Sequence, residues 1–331
     1  MMRFFAIPTA ISLLLLGTLY YYFGLAAFFT AALLVVLEVT LSFDNAVVNA
    51  KVLAEMSPRW QKRFLTWGIF IAVFITRLLL PIVIVSVVVW TSPWFITKVA
   101  LFNPARYGEM LAGAAPAIHA FGAAFLILVA LKYFMDAKKK MHWIHTIEKH
   151  LTLWGRIEAL EIILTLGIMT AISFFVPAQE QSTILIAGIF GVILFVCMQA
   201  ITSAFSLETK ASVSASLALF LYLEVLDASF SLDGVVGAFA LTSAVPVIAV
   251  GLGIGAYFVR SLTIYMVKKR TLDALVFLEH GAHWAIFGLA VSMFVSLLTE
   301  VPEIITGSIG LIFVVAAYYS SLRFKPLEPR A

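Results

Sequence analysis

Cys197 is the single cysteine in a chain of 331 residues. One thiol excludes an internal disulfide, a CxxC redox pair and a cysteine-rich metal site. Charge is also scarce. Only 12% of the residues are charged and 63% are hydrophobic, whereas a soluble domain of this length carries about a quarter charged residues. No Walker A segment is present, so ATP is not expected to drive the protein directly. Neither HExxH nor HxxEH occurs; Glu279-His280-Gly281-Ala282-His283 has the residue types of a zinc-protease helix but not the spacing. No enzymatic activity, permanently bound cofactor or nucleic-acid partner is expected. What the chain has instead is long apolar runs, and these predict a polytopic, all-α membrane bundle with lipid as its surroundings.

A bilayer crossing needs about 20 mostly apolar residues. Ten windows qualify: 4–23, 25–53, 65–90, 111–134, 157–176, 183–205, 212–241, 245–267, 282–299 and 303–322. The first has no small-residue cleavage site and reads as a retained helix. With the N-terminus inside, the inner segments hold Arg3, Arg59, Lys62, Arg63, Lys138, Lys139, Lys140, Lys149, Arg156, Lys210, Lys268, Lys269, Arg270, Arg323, Lys325 and Arg330, and the outer loops hold only Lys98 and Arg106. That asymmetry predicts both termini in the cytoplasm of a cell (plasma or inner) membrane. The inner loop at about 135–156 is basic and carries His142, His145 and His150 with Glu148. It reads as an amphipathic surface helix near anionic headgroups, with a metal-sensing histidine patch as the alternative.

The same acidic signature occurs twice inside these runs. Glu38 is followed six residues later by Asp44, and Asp227 by Asp233, each with Ser two positions before the second acid (Ser42, Ser231). Asn45 follows the first copy and Gly234 the second. Asp44 and Asp233 stand 189 residues apart. Gly68 and Arg77 follow the first copy as Gly251 and Arg260 follow the second, nine residues apart in each case. Five spans is an odd number, so two such halves, 1–176 and 177–331, would be inverted repeats of the kind found in secondary transporters.

Carboxylates in hydrocarbon cost several kcal/mol unless they meet a partner, a cation or water. Six positions on an ideal helix turn about 600°, which leaves Glu38 and Asp44 about 120° apart. Interrupted helices at both motifs would bring them together. The expected ion-handling residues are Glu38, Asp44, Asn45, Asp227 and Asp233, supported by Glu224, Asn49, Arg77 and Arg260. All the ligand candidates are oxygen donors, which suit Mn²⁺, Mg²⁺ and Ca²⁺ better than Zn²⁺ or Cu⁺. The arginines are expected to compensate the buried carboxylates. Glu158 and Glu161 open the fifth window, either guiding cations or as ordinary first-turn acids. His280 and His283 stand at the inner edge of the ninth, either lining a vestibule or packing at the interface.

Glu38 through Asn49 (EVTLSFDNAVVN) and Glu224 through Ala240 (EVLDASFSLDGVVGAFA) resemble the paired signatures of the TerC family of integral membrane proteins. With Glu279 through His283, the resemblance is to its uncharacterised branch. It implies a role in manganese export or tellurite resistance, with Glu38, Asp44, Asn45, Asp227 and Asp233 handling the ion. Two functions are therefore carried forward. One is a secondary transporter exporting a divalent cation, Mn²⁺ first, against protons. The other is a non-transporting membrane factor that binds metal in a stress response. Single cysteines at positions 98 and 269, in a Cys197→Ser background, test the topology. Only position 98 is expected to react with an impermeant thiol reagent from outside, and external labelling of position 269 contradicts it.

Overall fold

The computed structural model describes residues 2–139, 141–157, 159–206, 213–299 and 301–324. Lys140, Glu158, Lys210, Lys325 and Arg330 lie outside them. The chain is all-helical, 87% helix, with no strand among the described residues. In order the helices are α1 (Met2–Leu41), α2 (Phe43–Ala54), α3 (Pro58–Phe70), a π-helical stretch (Ile71–Leu79) and α4 (Leu80–Val88). Then come α5 (Pro93–Phe102), α6 (Pro104–Phe134), α7 (His145–Trp154), α8 (Leu160–Ser173) and α9 (Ala178–Ser206). The last are α10 (Val213–Leu241), α11 (Val245–Lys268), α12 (Thr271–Ala274), α13 (Leu278–Ser296) and α14 (Glu303–Arg323).

Six helical stretches are long and apolar enough to cross a membrane: Phe5–Leu41, Pro58–Val88, Pro104–Phe134, Ala178–Ala204, Ala215–Phe239 and Val245–Lys268. Shorter apolar helices are Pro93–Phe102, Leu160–Ser173 and Ser308–Arg323. Leu13, Leu14, Ile186, Phe190 and Ile163 point outward from them. Water would penalise that surface and lipid does not. Tyr21, Trp90, Trp94 and Phe174 are exposed near helix ends and turns, where aromatic rings favour the headgroup level. The protein is a multi-pass helical membrane protein.

Local sequence explains the ends. Ser57, Ser92 and Asn103 each precede a proline that opens a helix, where its missing N–H costs nothing. The Ser92 and Asn103 side chains accept from Phe95 and Arg106 N–H groups at 3.2 and 3.3 Å. The forty-residue α1 is two helices joined at Gly24. The first arm places Phe5 against Phe258 and Tyr265. The second places Leu34 against Gly251 and Glu38 against Gly255. Both ends of α1 therefore lie toward the same end of α11, and the chain reverses at Gly24.

The centre of the bundle is α6. From Ala117 to Leu131 nearly every residue is buried, and α9, α10 and α13 pack around it. Its Ala and Gly residues let neighbours approach closely, which drives helix association where lipid removes the hydrophobic incentive. Partners of α6 come from both expected halves of the chain, so those halves interleave.

One expectation about local structure is corrected. A break was expected at each acidic motif, but α10 runs unbroken through Asp227, Asp233 and Gly234. In that motif the Ser229 hydroxyl donates to the Val225 carbonyl at 3.0 Å, and Gly234 provides space rather than a kink. The first motif has a one-residue interruption at Ser42, whose N–H still reaches the Glu38 carbonyl at 2.9 Å. The loop expected as an amphipathic surface helix contains α7, whose residues are exposed or partly exposed except for Glu148, which is buried on its inner face. Gly24 has φ 81° and ψ −175°, a region essentially reserved for glycine. Gly24→Ala is expected to destabilise the protein by about 1–3 kcal/mol, read as a lower thermal midpoint in detergent; an unchanged midpoint contradicts the turn.

Candidate functional site

Glu38 ends the second arm of α1, and Asn45 opens α2. Arg77 lies in the π-helical stretch, Glu224 and Asp227 on α10, and Arg260 on α11. All six side chains are buried and they form one network. Arg260 donates through Nη1 and Nη2 to the two oxygens of Glu224 at 3.0 and 2.9 Å. Its Nη2 also donates to Asp227 Oδ2 at 3.1 Å. Asn45 Nδ2 donates to Asp227 Oδ1 at 2.8 Å. Arg77 Nη2 donates to Glu38 Oε1, and its Nη1 lies 4.0 Å from Asp227 Oδ2. Ser42 adds a hydroxyl donor to Glu38 Oε1 at 3.0 Å. Asp227 thus sits between two guanidiniums that belong to different parts of the sequence.

The π-helical stretch has a local cause. Pro81 has no N–H to offer the Arg77 carbonyl, and its ring crowds that oxygen. Widening the preceding turns relieves the conflict. It also lets Arg77 Nη1 donate to its own helix at the Ala72 carbonyl, 2.7 Å away, while Nη2 reaches Glu38. At the matching place after Arg260 the chain has Ile264, and α11 stays a plain α-helix. Close approach completes the network. A Cβ at Gly68 would stand 2.9 Å from Glu224 Oε1, and one at Gly255 would stand 2.5 Å from Glu38 Cβ.

Asp44 lies outside this network. Among the described residues it has no cation partner. It faces a cavity of about 30 Å³ lined with Glu38, Ser42, Gly234, Thr306 and Gly310 among others, room for about one water-sized occupant. Cβ atoms at Gly234 and Gly310 would stand 3.5 Å from Glu38 Oε2 and 3.8 Å from Asp44 Oδ2. Among the described residues the buried Oδ1 atoms of Asn45 and Asn49 have no hydrogen-bond partner, and such acceptors call for water or a cation. The helix carrying Asp233 runs past this region, but its side chain lies outside the described ones. Among the described residues no three His, Cys, Asp or Glu side chains are grouped to hold a metal ion at once. The four described carboxyl groups, Glu38, Asp44, Glu224 and Asp227, outnumber the two guanidiniums by two.

Sequence reasoning named Gly234 and Glu148 without giving them these places, and did not single out Thr306 or Gly310. Glu148 Oε1 accepts from Trp284 Nε1 at 2.9 Å, and its Oε2 lies 2.8 Å from His280 Nδ1 and 3.1 Å from Lys139 Nζ. The Trp143 and Ile144 N–H groups add two more bonds. Lys139 also lies over the Tyr133 ring at 3.9 Å. His283 stacks on Tyr133 at 3.6 Å. The histidines of the 135–156 loop thus split up: His142 and His145 rings stand 5.9 Å apart, and His150 bonds to the Thr146 carbonyl. Glu161 pairs with Lys132 at 3.3 Å.

Residues 43–326 match the family described as "Protein of unknown function (DUF475)". The chain belongs to that family. No curated protein and no solved structure matches it. The match begins one residue before Asp44 and takes in both motif aspartates, Glu148 and both arginines, while Glu38 and α1 precede it.

Burial alone would push the Glu148 carboxyl up. Hydrogen bonds from His280 and Trp284, with the charges of His280 and Lys139, instead hold it well below the usual carboxylate range. A group depressed in the folded state contributes stability above its unfolded pKa of about 4.3 and loses it as pH falls toward the folded value. Glu148→Gln is therefore expected to lower the thermal midpoint at pH 7, with a cost of roughly 3–5 kcal/mol for breaking a buried charge cluster. The difference from the parent should narrow as pH falls below about 4; a gap that stays constant contradicts the charged assignment.

Proposed function

We propose that this protein is a secondary transporter that exports divalent metal cations, Mn²⁺ foremost, in exchange for protons. One observation carries the proposal: four buried carboxyl groups against two guanidiniums leave two acids without a fixed counter-charge beside a cavity of about 30 Å³. A divalent cation matches that pair. Glu38, Ser42, Asp44 and Thr306 offer hard oxygen ligands there, suited to Mn²⁺, Mg²⁺ or Ca²⁺. The unpartnered Asn45 and Asn49 oxygens add neutral ones. The resemblance of both motifs to the TerC signatures supports the choice of Mn²⁺. Asp233 is proposed as a further ligand on its place in the second motif.

In this proposal the chain crosses a cell membrane ten times, in two inverted five-span repeats at 1–176 and 177–331, with both ends cytoplasmic. The reversal at Gly24 supports counting two crossings within α1. The arginines act as internal counter-ions. Arginine keeps its proton at any physiological pH, so the exchangeable protons belong to the carboxylates. When the ion arrives at Glu38 and Asp44, Arg77 yields Glu38 and remains beside Asp227. When the ion leaves, Arg77 returns or a proton takes the charge. That no three His, Cys, Asp or Glu side chains are grouped among the described residues fits a site assembled during the cycle.

A second function, a non-transporting membrane factor that binds metal or serves tellurite resistance, draws on the same feature. Two arginines already neutralise much of the acidic charge, which would suit a fixed scaffold. Variants separate the two. Asp44→Asn and Asp233→Asn keep size and one oxygen but remove charge and titration. Each is expected to fold, to lose Mn²⁺ flux in sealed vesicles at least tenfold, and to lose the Mn²⁺-dependent rise in thermal midpoint that binding produces. Full flux in the double variant contradicts the transport role.

A further inference from the structure

We propose that the large cavity bounded by the 135–156 loop binds the phosphate headgroup of an anionic phospholipid. The inference stands apart from the transporter function, since it concerns a different cavity and a ligand of opposite charge. The cavity measures about 1070 Å³. Lys132, Lys138, Lys139 and Arg156 line it, against Asp136, Glu161 and Glu279. The three acids are already engaged. Glu161 accepts from Lys132 at 3.3 Å, Glu279 pairs with Lys51 at 3.1 Å, and Asp136 Oδ1 accepts the Lys138 backbone N–H at 2.9 Å. His280 and His283 turn their Nδ1 atoms to Glu148 and to the Glu279 carbonyl. Lys138 and Arg156 are exposed and form no ion pair among the described residues. Lys139 is 9% exposed, and its Nζ lies 3.1 Å from Glu148 Oε2 without completing a well-aligned hydrogen bond among the described residues. A buried ammonium with donors to spare on a cavity wall calls for an acceptor.

The backbone holds the two uncommitted cations together. A Cβ at Gly155 would stand 1.6 Å from the Met135 carbonyl oxygen, so the turns on either side of α7 touch where no side chain fits. Thr152 Oγ1 fastens them again, donating to the Phe134 carbonyl at 3.2 Å. Lys138 lies three residues past one side of this contact and Arg156 one residue past the other. The planar fork of Arg156 suits two oxygens of a phosphate, and the lysines supply point charges. The rest of the lining decides what carries the phosphate. Val129 and Phe195 are buried and apolar, while Met141 and Ile157 are 39% and 54% exposed. A soluble anion leaves those two side chains against water, and an inorganic phosphate fills only a small part of the space. A phospholipid sets its headgroup on the cations and its acyl chains on the apolar surface. In the expected topology the loop meets the cytoplasmic leaflet, where anionic lipids concentrate and basic pockets between helices hold their headgroups.

Purified full-length protein in micelles holding equimolar phosphatidylglycerol and phosphatidylcholine tests the site. Native mass spectrometry counts the retained lipid, and the thermal midpoint reads its effect. The parent is expected to retain phosphatidylglycerol several-fold over phosphatidylcholine and to melt higher with it. Lys138→Gln with Arg156→Gln should cut that retention by about fivefold or more. Arg59→Gln with Lys62→Gln removes the same charge from exposed positions on α3 and should leave retention unchanged. Equal retention of the two lipids, full retention in the 138/156 pair, or an equal loss in the α3 pair overturns the site. If the 138/156 pair melts lower in phosphatidylcholine alone, the charge-keeping exchange Lys138→Arg with Arg156→Lys decides: it should retain the lipid, and loss there overturns the site. Millimolar inorganic phosphate or glycerol 3-phosphate, added without lipid, should not raise the midpoint. A rise equal to that from phosphatidylglycerol assigns the cavity to a soluble phosphate and overturns the lipid. None of these readings uses Mn²⁺ flux, so the transporter function and this site can fail separately.

Discussion

Two arginines hold this bundle together from within. Arg77 and Arg260 clasp Glu38, Glu224 and Asp227, and Asn45 ties Asp227 to α2. Five elements distant in sequence therefore meet at one charge cluster inside an apolar protein. Such a cluster does not have to be stabilising overall. Its desolvation offsets much of its attraction, while loss of one partner strands the others at about 3–5 kcal/mol. What it does impose is register. α1, α2, α10, α11 and the π-helical stretch each have to present one particular side chain at one particular height.

The surroundings follow from that demand. Glycines stand where a side chain would push the cluster apart: Gly68 against Arg260 and Glu224, and Gly255 against Glu38. Pro81 widens the helix ahead of it so that Arg77 serves both Ala72 and Glu38. The cluster is nearly neutral by itself, with three carboxylates against two guanidiniums. Asp44, left without a cation among the described residues, then makes the adjoining cavity acidic. In the proposed cycle, the network supplies a counter-charge that yields to a metal ion without exposing bare carboxylates to lipid.

Composition and the apolar windows made the membrane bundle legible in the sequence, and the break between windows 4–23 and 25–53 falls at Gly24. The duplicated motif pointed to Glu38, Asn45, Asp227, Arg77 and Arg260, which meet in space. It pointed less well to backbone. Ser42 through Asn45 in the first motif and Gly234 in the second suggested two broken helices; the first is interrupted at Ser42, yet α10 is continuous, and Gly234 is used for its missing side chain near Glu38. The irregular backbone sits instead around Arg77, for which Pro81 was the available signal. Glu148 was not legible as a buried group. Its side-chain partners His280 and Trp284 lie 132 and 136 residues downstream, and no helical periodicity links residues that far apart. Thr306 and Gly310 were hidden for the same reason, as small residues in an apolar helix whose neighbour, Asp44, lies in another part of the chain.

Flux through the parent protein tests the central claim most directly. Purified protein in sealed liposomes, with an internal Mn²⁺ indicator and a pH indicator, reports metal and proton movement together. Mn²⁺ entry that is saturable, that an opposing proton gradient accelerates, and that is accompanied by counter-movement of protons is the predicted result. Mn²⁺ that binds and stabilises the protein but never crosses, with or without a proton gradient, would contradict it.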